Sequence, residues 1–324
     1  MTELVTVDIG GTHARFALAT VAPDGRIALA EPVTLRTRDH ASFQLAWEAF
    51  AAHAGRALPA AAALSIAGPV GEDVIRFTNN PWTLRPAELP REIGAGQITL
   101  VNDFAAVAHA VAAAPHADFL HLCGPDAPLP AAGTLSVVGP GTGLGVAHLW
   151  RDGQGGYHVQ ATEGGHMAFA PLDAIDDAIL AHLRQRYPRV SAERVVSGPG
   201  IVELHAALAA LEGRAVEQQG DTALWQLGLS GDDSLAAAAV ERFCASLGSV
   251  CGDYALAHGA GAVVLAGGLG LRLRDVLPKS GFGERFRFKG RYTEMMAGIP
   301  VKMIVHPQPG LYGAAAAFAN EHCR

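Results

Sequence analysis

Lysine is almost missing from this 324-residue chain, occurring only at Lys279, Lys289 and Lys302. A P-loop is thereby excluded at any glycine turn further upstream, because that loop ends in a lysine that reaches the β- and γ-phosphates. The net charge of −7 argues against nucleic acid as a partner, since phosphate backbones are gripped by clustered Lys and Arg. Cysteine is scarce as well: Cys123, Cys244, Cys251 and Cys323 form no C-x-x-C pair, so neither a zinc knuckle nor a thioredoxin-type site is indicated. Cys244 and Cys251 are seven apart on a helical pattern and read as buried thiols sharing a face. Charged residues make up 17% against 50% hydrophobic, which rules out long disorder. The longest nearly apolar run, Phe104–Ala114, is interrupted by His109 and falls short of the ~20 residues of a bilayer span. The N-terminus enters a strand at once, without the basic and apolar regions of a secretory leader. The cytoplasm is the expected location, with no membrane partner.

A chain of this length holds two domains, or one large one, with a well-buried core. Its most informative positive feature is a pair of glycine-threonine turns, Gly10-Gly11-Thr12 and Gly139-Pro140-Gly141-Thr142-Gly143. Each follows a short apolar strand, Leu4–Val7 or Leu135–Val138, and leads into another. Glycines there are expected to supply φ > 0 and close ligand approach, and the exposed N–H groups and Thr hydroxyls to cradle phosphate oxygens. A dinucleotide fingerprint would need G-x-G-x-x-G opening a helix, whereas Gly143 leads into a strand-like run. What remains is a hairpin turn used as a phosphate cradle, set against the plainer reading of two tight hairpins.

Val-, Ile- and Leu-rich strands alternate with helical patterns, which points to a layered α/β architecture. Strands are expected at Val5–Ile9, Arg15–Ala19, Ile27–Leu35, Ala62–Ala67, Val74–Thr78 and Ile98–Val101, with helices over Ser42–His53 and from Asp103. The second half opens in the same way, so Val7–Thr12 and Val137–Thr142 read as a weak internal repeat. Helices are expected at Leu172–Arg186, Gly200–Leu211 and Ser234–His258, then a strand over Ala262–Ala266 ending in a third glycine turn, Gly267-Gly268. A strand at Lys302–Val305 and an Ala-rich helix at Tyr312–Ala319 close the chain. Pro and Gly cluster at Cys123–Gly133, the best candidate for a linker or hinge.

Several side chains carry candidate chemistry. Asp8 sits at the mouth of the first cradle; a Mg²⁺ with intervening waters would make a carboxylate tolerable beside phosphate, and the alternative is a strand-end Asp bonded to turn amides. Asn102-Asp103 ends a strand and opens a helix. Asp103 is a good N-cap, yet the strand end of an α/β sheet is also where ligands bind. A carboxylate there can take the proton of an attacking hydroxyl with an ordinary, unraised pKa, because that proton leaves late in phosphoryl transfer. Glu163-Gly164-Gly165-His166 sets a carboxylate and an imidazole around two glycines, a pattern suited to paired sugar hydroxyls. Glu193 reads on its own as a surface or capping carboxylate.

Taken in order, D-I-G-G-T (Asp8–Thr12), I-A-G-P (Ile66–Pro69), F-T-N-N-P-W (Phe77–Trp82), N-D-F (Asn102–Phe104), G-P-G-T-G-L-G (Gly139–Gly145) and E-G-G-H (Glu163–His166) resemble the bacterial glucokinases. S-A-E-R-V (Ser191–Val195), S-G-P-G (Ser197–Gly200), A-G-G (Ala266–Gly268) and P-G-L-Y-G (Pro309–Gly313) continue the match from Val5 to Ala317. That family is a hexokinase-like branch of the actin and sugar-kinase superfamily. The resemblance implies two actin-like, ribonuclease-H-like α/β lobes, each with a mixed five-stranded sheet flanked by helices, and a cleft between them. It divides the chain into a small lobe of residues 1–113 and 307–324 and a large lobe of 114–306. It implies ATP-dependent phosphorylation of the 6-hydroxyl of glucose, with another hexose or a non-catalytic sugar sensor as alternatives.

Residue by residue, the resemblance makes Asp103 the catalytic base and Asn102, Asp103, Glu163, His166 and Glu193 the sugar ligands. Asp8, Gly10, Gly11 and Thr12 match the metal and phosphate site, Gly141, Thr142 and Gly143 the second phosphate turn, and Gly267 and Gly268 the turn near the adenosine. ATP and Mg²⁺, the latter held by Asp8 through water, are the implied substrate and ion, and a homodimer the implied assembly. Position 13 departs from the pattern, carrying His where the family usually has Asn. The cysteine-rich zinc motif of the related repressor/kinase group is absent.

Overall fold

The computed structural model describes residues 1–77 and 80–323. The chain forms two compact units, Met1–Pro115 with His306–Arg324, and His116–Val305.

In the first unit β1 (Thr2–Ile9) returns as β2 (His13–Val21) in an antiparallel hairpin. β3 (Ile27–Leu29) and β4 (Val33–Arg36) share the far edge of β2. The single strand expected over Ile27–Leu35 is broken at Pro32, which has no N–H to give the ladder. β5 (Ala61–Ile66) runs parallel to β1. A separate small hairpin pairs β6 (Ile75–Arg76) with β7 (Thr83–Leu84); the Thr78 end of the expected strand and Asn79 of the F-T-N-N-P-W motif lie outside the described residues. β8 (Gln97–Asn102) then lies parallel to β5. The sheet is five positions wide, with β3 and β4 dividing one edge, and so holds six strands.

Strand alternation sorts the two faces of β1. Val5, Val7 and Ile9 pack with Phe16, Phe43, Trp47 and Phe50, three of them from the helix Phe43–Ala54. Thr6 faces the other way, and its hydroxyl donates to Leu311 O at 2.7 Å in the closing helix Pro309–His322. That helix packs on Asp103–Ala113 so closely that a Cβ on Gly313 would lie 1.7 Å from Ala106 O.

The second unit repeats the strand order. β9 (Phe119–Cys123) comes first; β10 (Ala132–Pro140) and β11 (Leu144–Asp152) form the antiparallel hairpin, with β12 (Tyr157–Thr162) beyond β11. β13 (Ala262–Leu265) is parallel to β10, and β14 (Val301–Ile304) to β13. β9 adds a sixth, antiparallel strand next to β14, one more than the resemblance implies. Because β9 is bound to this sheet, the Cys123–Gly133 stretch joins β9 to β10 inside the unit and is not the link between units.

The long helix Ser234–His258 is the core of this unit, burying Leu235, Ala239, Phe243, Leu247, Val250 and Tyr254. By length and composition it could cross a membrane, although Ser, Gly and charged residues interrupt its apolar run. In the fold 78% of its most apolar window is buried against the rest of the unit. Cys244 and Cys251 are both buried in it, and burial pushes the Cys244 thiol up to about 12 and Cys251 higher still. Helices Leu89–Ile93, Asp221–Ser230, Gly268–Arg272, Phe282–Arg287 and Thr293–Ala297 were not expected from the pattern; apart from Asp221–Ser230, each is under two turns long, too short for helical periodicity to register.

Candidate active site

In the first unit the parallel strands β1, β5 and β8 end together, with Ile9, Ile66 and Asn102 in register. The register delivers Asp8 and Asp103 to one sheet edge, the edge at which α/β sheets bind ligands. Asp8 Oδ1 accepts from Ser65 Oγ at 3.2 Å, and Oδ2 pairs with Arg15 Nη1 at 3.2 Å. Arg15 is the cross-strand neighbour of Asp8. Burial nevertheless raises the Asp8 pKa, against the pull of Arg15 and Ser65. A Cβ on Gly310 would sit 2.8 Å from Asp8 Cγ, so any larger residue there would displace the Asp8 carboxylate.

Asn102, not Asp103, caps the helix: its Oδ1 accepts from the amides of Phe104 (3.0 Å) and Ala105 (3.1 Å). Its Nδ2 donates to Gly68 O at 3.2 Å, which leaves a second amide hydrogen for a ligand. Asp103 is the first helical residue, and its Oδ1 accepts from the Phe104 amide at 2.8 Å. Its pKa is raised rather than ordinary: burial is the main cause, opposed by the Phe104 amide and reinforced by the charge of Asp8. The residue still reaches solvent, so its carboxylate is accessible to a ligand.

The first turn is tied back through its carbonyls. Gly10 N–H closes it onto His13 O at 3.0 Å. Gly10 O accepts from Asn80 Nδ2 at 3.1 Å, Gly11 O from Thr37 Oγ1 at 3.1 Å, and Thr12 O from the Thr37 amide at 3.1 Å. In a trans peptide the N–H points opposite to the preceding C=O. The amides of Gly11 and Thr12 therefore face away from these anchors, and among the described residues neither has a protein acceptor. They are two unpaired donors on adjacent residues, the kind of group an anion cradle uses.

The second unit builds its turn in a similar way. Gly141 N–H closes onto Gly143 O at 2.8 Å, while Gly141 O accepts from the Gly198 amide at 2.7 Å. Gly198 is itself held, its carbonyl accepting from the indole of buried Trp225 at 2.9 Å. The Thr142 amide is thus turned outward. Gly267 packs its backbone against Pro140, where a Cβ would meet Pro140 O at 2.9 Å.

The reason for glycine differs from one turn position to the next. Gly10, Gly141 and Gly143 do not have positive φ, whereas Gly267 does, at 90°. A Cβ on Gly143 would lie 2.5 Å from Glu193 Oε2, while one on Gly141 would meet nothing within 4 Å.

Glu193 holds the end of the second turn, its Oε2 accepting from the Leu144 amide at 2.9 Å. The Glu163–His166 turn converges on the same residue, since a Cβ on Gly165 would lie 2.2 Å from Leu144 O and one on Gly164 2.9 Å from Val146. The two glycines make room for β11. Tyr254 OH donates to Gly164 O at 2.7 Å and Arg189 to His166 O at 2.7 Å. The backbone is anchored while the side chains of Glu163 (93% exposed) and His166 (59%) project outward, 3.9 Å apart.

Sequence reasoning missed Arg15, Ser65, Gly310, Thr37 and Asn80 as supports of the site. Only Arg15 was within reach, because counting across the β1–β2 hairpin sets it opposite Asp8. Among the described residues no three His, Cys, Asp or Glu side chains gather to hold a metal. Asp8, with Asp103 near it, suits an ion that keeps its own waters and arrives on phosphate, which is how Mg²⁺ is commonly held.

Two like-ordered α/β units, each with an anchored glycine hairpin, and a carboxylate pair at parallel strand ends define the class: the hexokinase-like sugar-kinase fold. The glucokinase family model matches residues 5–321. The chain is 54% identical over 320 residues to the glucokinase of Zymomonas mobilis, covering 99% of this chain and 98% of that one. It is 42% identical to the glucokinase of Caulobacter vibrioides, covering 97% and 94%. A crystal structure of a glucokinase from an Antarctic psychrotroph superposes with a TM-score of 0.90 at 32% identity, covering 99% of each chain. The chain belongs to the glucokinase family.

Proposed function

We propose that this protein transfers the terminal phosphoryl group of ATP to the 6-hydroxyl of glucose, giving glucose 6-phosphate and ADP. The observation that carries the mechanism is the placing of Asp103, an accessible carboxylate with a raised pKa, on the same unit as the outward Gly11 and Thr12 amides. Asp103 accepts the hydroxyl proton as the oxygen attacks the phosphorus. Its raised pKa makes it a better proton acceptor than an ordinary carboxylate.

Glucose hydroxyls pair with Asn102 through the free Nδ2 hydrogen, with Asp103, and with Glu163, His166 and Glu193 of the second unit. Glu193 has its Oε1 for this task while Oε2 keeps the Leu144 amide. The amides of Gly11 and Thr12 and that of Thr142 bond phosphate oxygens, fixed donors that need no rearrangement as charge shifts in the transition state. Gly267 and Gly268 border the adenosine. Asp8 would hold Mg²⁺ through water, and the bound ion would supply charge neutralisation for the phosphates. Excluding water from the sugar site keeps it from replacing glucose as the nucleophile, since an unfilled site leaves polar groups unpaired.

The strand-end geometry and anchored cradles favour a catalyst over a pure sugar sensor, which need not keep Asp8, Asp103 and both glycine turns together. As in its family, we assign the protein to the cytoplasm as a homodimer. The test is ADP release on a panel of hexoses with MgATP and other donors. Glucose with ATP is expected to give the highest kcat/KM, and no turnover on any hexose would remove the assignment.

A further inference from the structure

The R-T-R segment packed against the first turn, Arg36-Thr37-Arg38, supplies no group to the mechanism above. A pocket of about 430 Å³ lies beside the first turn, between Gly11, Thr12 and His13 on one side and Arg36, Thr37 and Arg38 on the other. Its lining includes neither Asp8 nor Asp103, so it stands apart from the carboxylate pair.

The R-T-R segment is built onto the turn. Thr37 is only 2% exposed, and its hydroxyl and amide both bond to the turn, to Gly11 O and Thr12 O. Arg36 lies directly across from His13 in the β2–β4 ladder. The two arginines thus flank a fixed point, and both side chains are exposed. Arg38 has only a loose contact with Asp39, at 3.7 Å with both partners open to solvent, the kind of surface pair that contributes little. Arg36 has no acidic partner among the described residues. No carboxylate lines the pocket. Guanidinium groups left without carboxylates, next to backbone donors and an imidazole, match the geometry of a phosphate group, which takes bidentate N–H donors.

We propose that this pocket binds a phosphate group separate from the donor triphosphate, held by Arg36 and Arg38 with His13 at its edge. The proposal rests on reading the first turn as a phosphate cradle, because the occupant would share that wall. Its charge would repel a neighbouring donor phosphate, so occupancy would oppose MgATP binding. Three sources carry the required chemistry: free orthophosphate, the phosphoester of the sugar product, and a condensed inorganic phosphate chain.

The test is calorimetric titration of orthophosphate, glucose 6-phosphate and inorganic tripolyphosphate into the wild-type protein and the Arg36→Gln/Arg38→Gln variant. Both residues are exposed, so the fold is retained, and an unchanged melting temperature checks this. At least one anion is expected to bind the wild type and to lose about tenfold or more in affinity in the variant, the scale of losing charged hydrogen bonds. KM for MgATP should shift by less than about threefold, with kcat on glucose retained. The anion with the largest loss identifies the source. Absence of binding by all three, or equal affinities in variant and wild type, would overturn the proposal. A rise in KM for MgATP as large as the anion loss would also overturn it, by assigning the arginines to the donor site. Failure of the proposed kinase activity is read separately, as absent ADP release from the wild type.

Discussion

Glu193 Oε2 and the Leu144 amide, 2.9 Å apart, join a short helix to the end of the second glycine turn across 49 residues of sequence. Glu193, proposed above as a sugar ligand, therefore also holds the second glycine turn in place. Glu193→Ala is expected to raise KM for MgATP several-fold in addition to KM for glucose, as steady-state kinetics varying each substrate would read. Glu193→Gln keeps an oxygen for the amide and should leave KM for MgATP near wild type. An alanine variant impaired for glucose alone would show that the turn does not depend on this bond.

Asp103→Asn should fold and bind glucose but lose about 10²–10⁴ in kcat, the usual scale of a general base. In the wild type, kcat/KM should fall at acid pH through a limb displaced upward from the ordinary aspartate value of 3.8, because burial and Asp8 raise the Asp103 pKa. The base works ionised, so activity is lost as pH drops through that folded-state value. A pH–rate profile that stays flat down to pH 4 contradicts the assignment.

Asp8 has a raised pKa, caused chiefly by burial. For a carboxyl raised on folding, the favourable contribution is complete below the unfolded value and is lost as pH rises through the folded one. Ionised Asp8 is thus a net cost to the fold at neutral pH. Asp8→Asn should raise the melting temperature by up to about 3 °C at pH 7, with the gain vanishing below pH 4, while abolishing most turnover. Thermal unfolding of the variant at both pH values tests the sign.

Two glycines of the second unit should behave oppositely when changed to alanine. Gly141→Ala places a methyl in open space with no positive φ to strain, so stability should be unchanged while KM for MgATP rises. Gly165→Ala would set a Cβ 2.2 Å from Leu144 O, a clash with backbone that cannot rotate away. It should destabilise by several kcal/mol and disturb both the Glu163–His166 turn and the second glycine turn. Chemical denaturation beside kinetics separates the two outcomes.

Much of this protein was readable in the chain itself, because the informative signals are local. A glycine turn between two apolar strands announces a hairpin, and an N-D-F sequence at a strand end announces a helix start. Gly200–Leu211 and Ser234–His258 fall where periodicity sets them. Ten short motifs in order carried the family. Local signals could not say which of Asn102 and Asp103 caps the helix, since both have a suitable side chain; backbone geometry gave the cap to Asn102.

Residue order along the chain determined the α/β class, the paired cradles and the identity of the carboxylates. Tertiary structure alone decided what each of them experiences. Asp8 meets Ser65 and Gly310, and Glu193 meets Leu144, only because parallel strands and packed helices bring distant segments together. Burial and neighbouring charge, which set the pKa of Asp103, depend on that packing and leave no trace in the spacing of residues. The same holds for Gly143 and Gly165, which are crowded by Glu193 and Leu144 from distant parts of the chain.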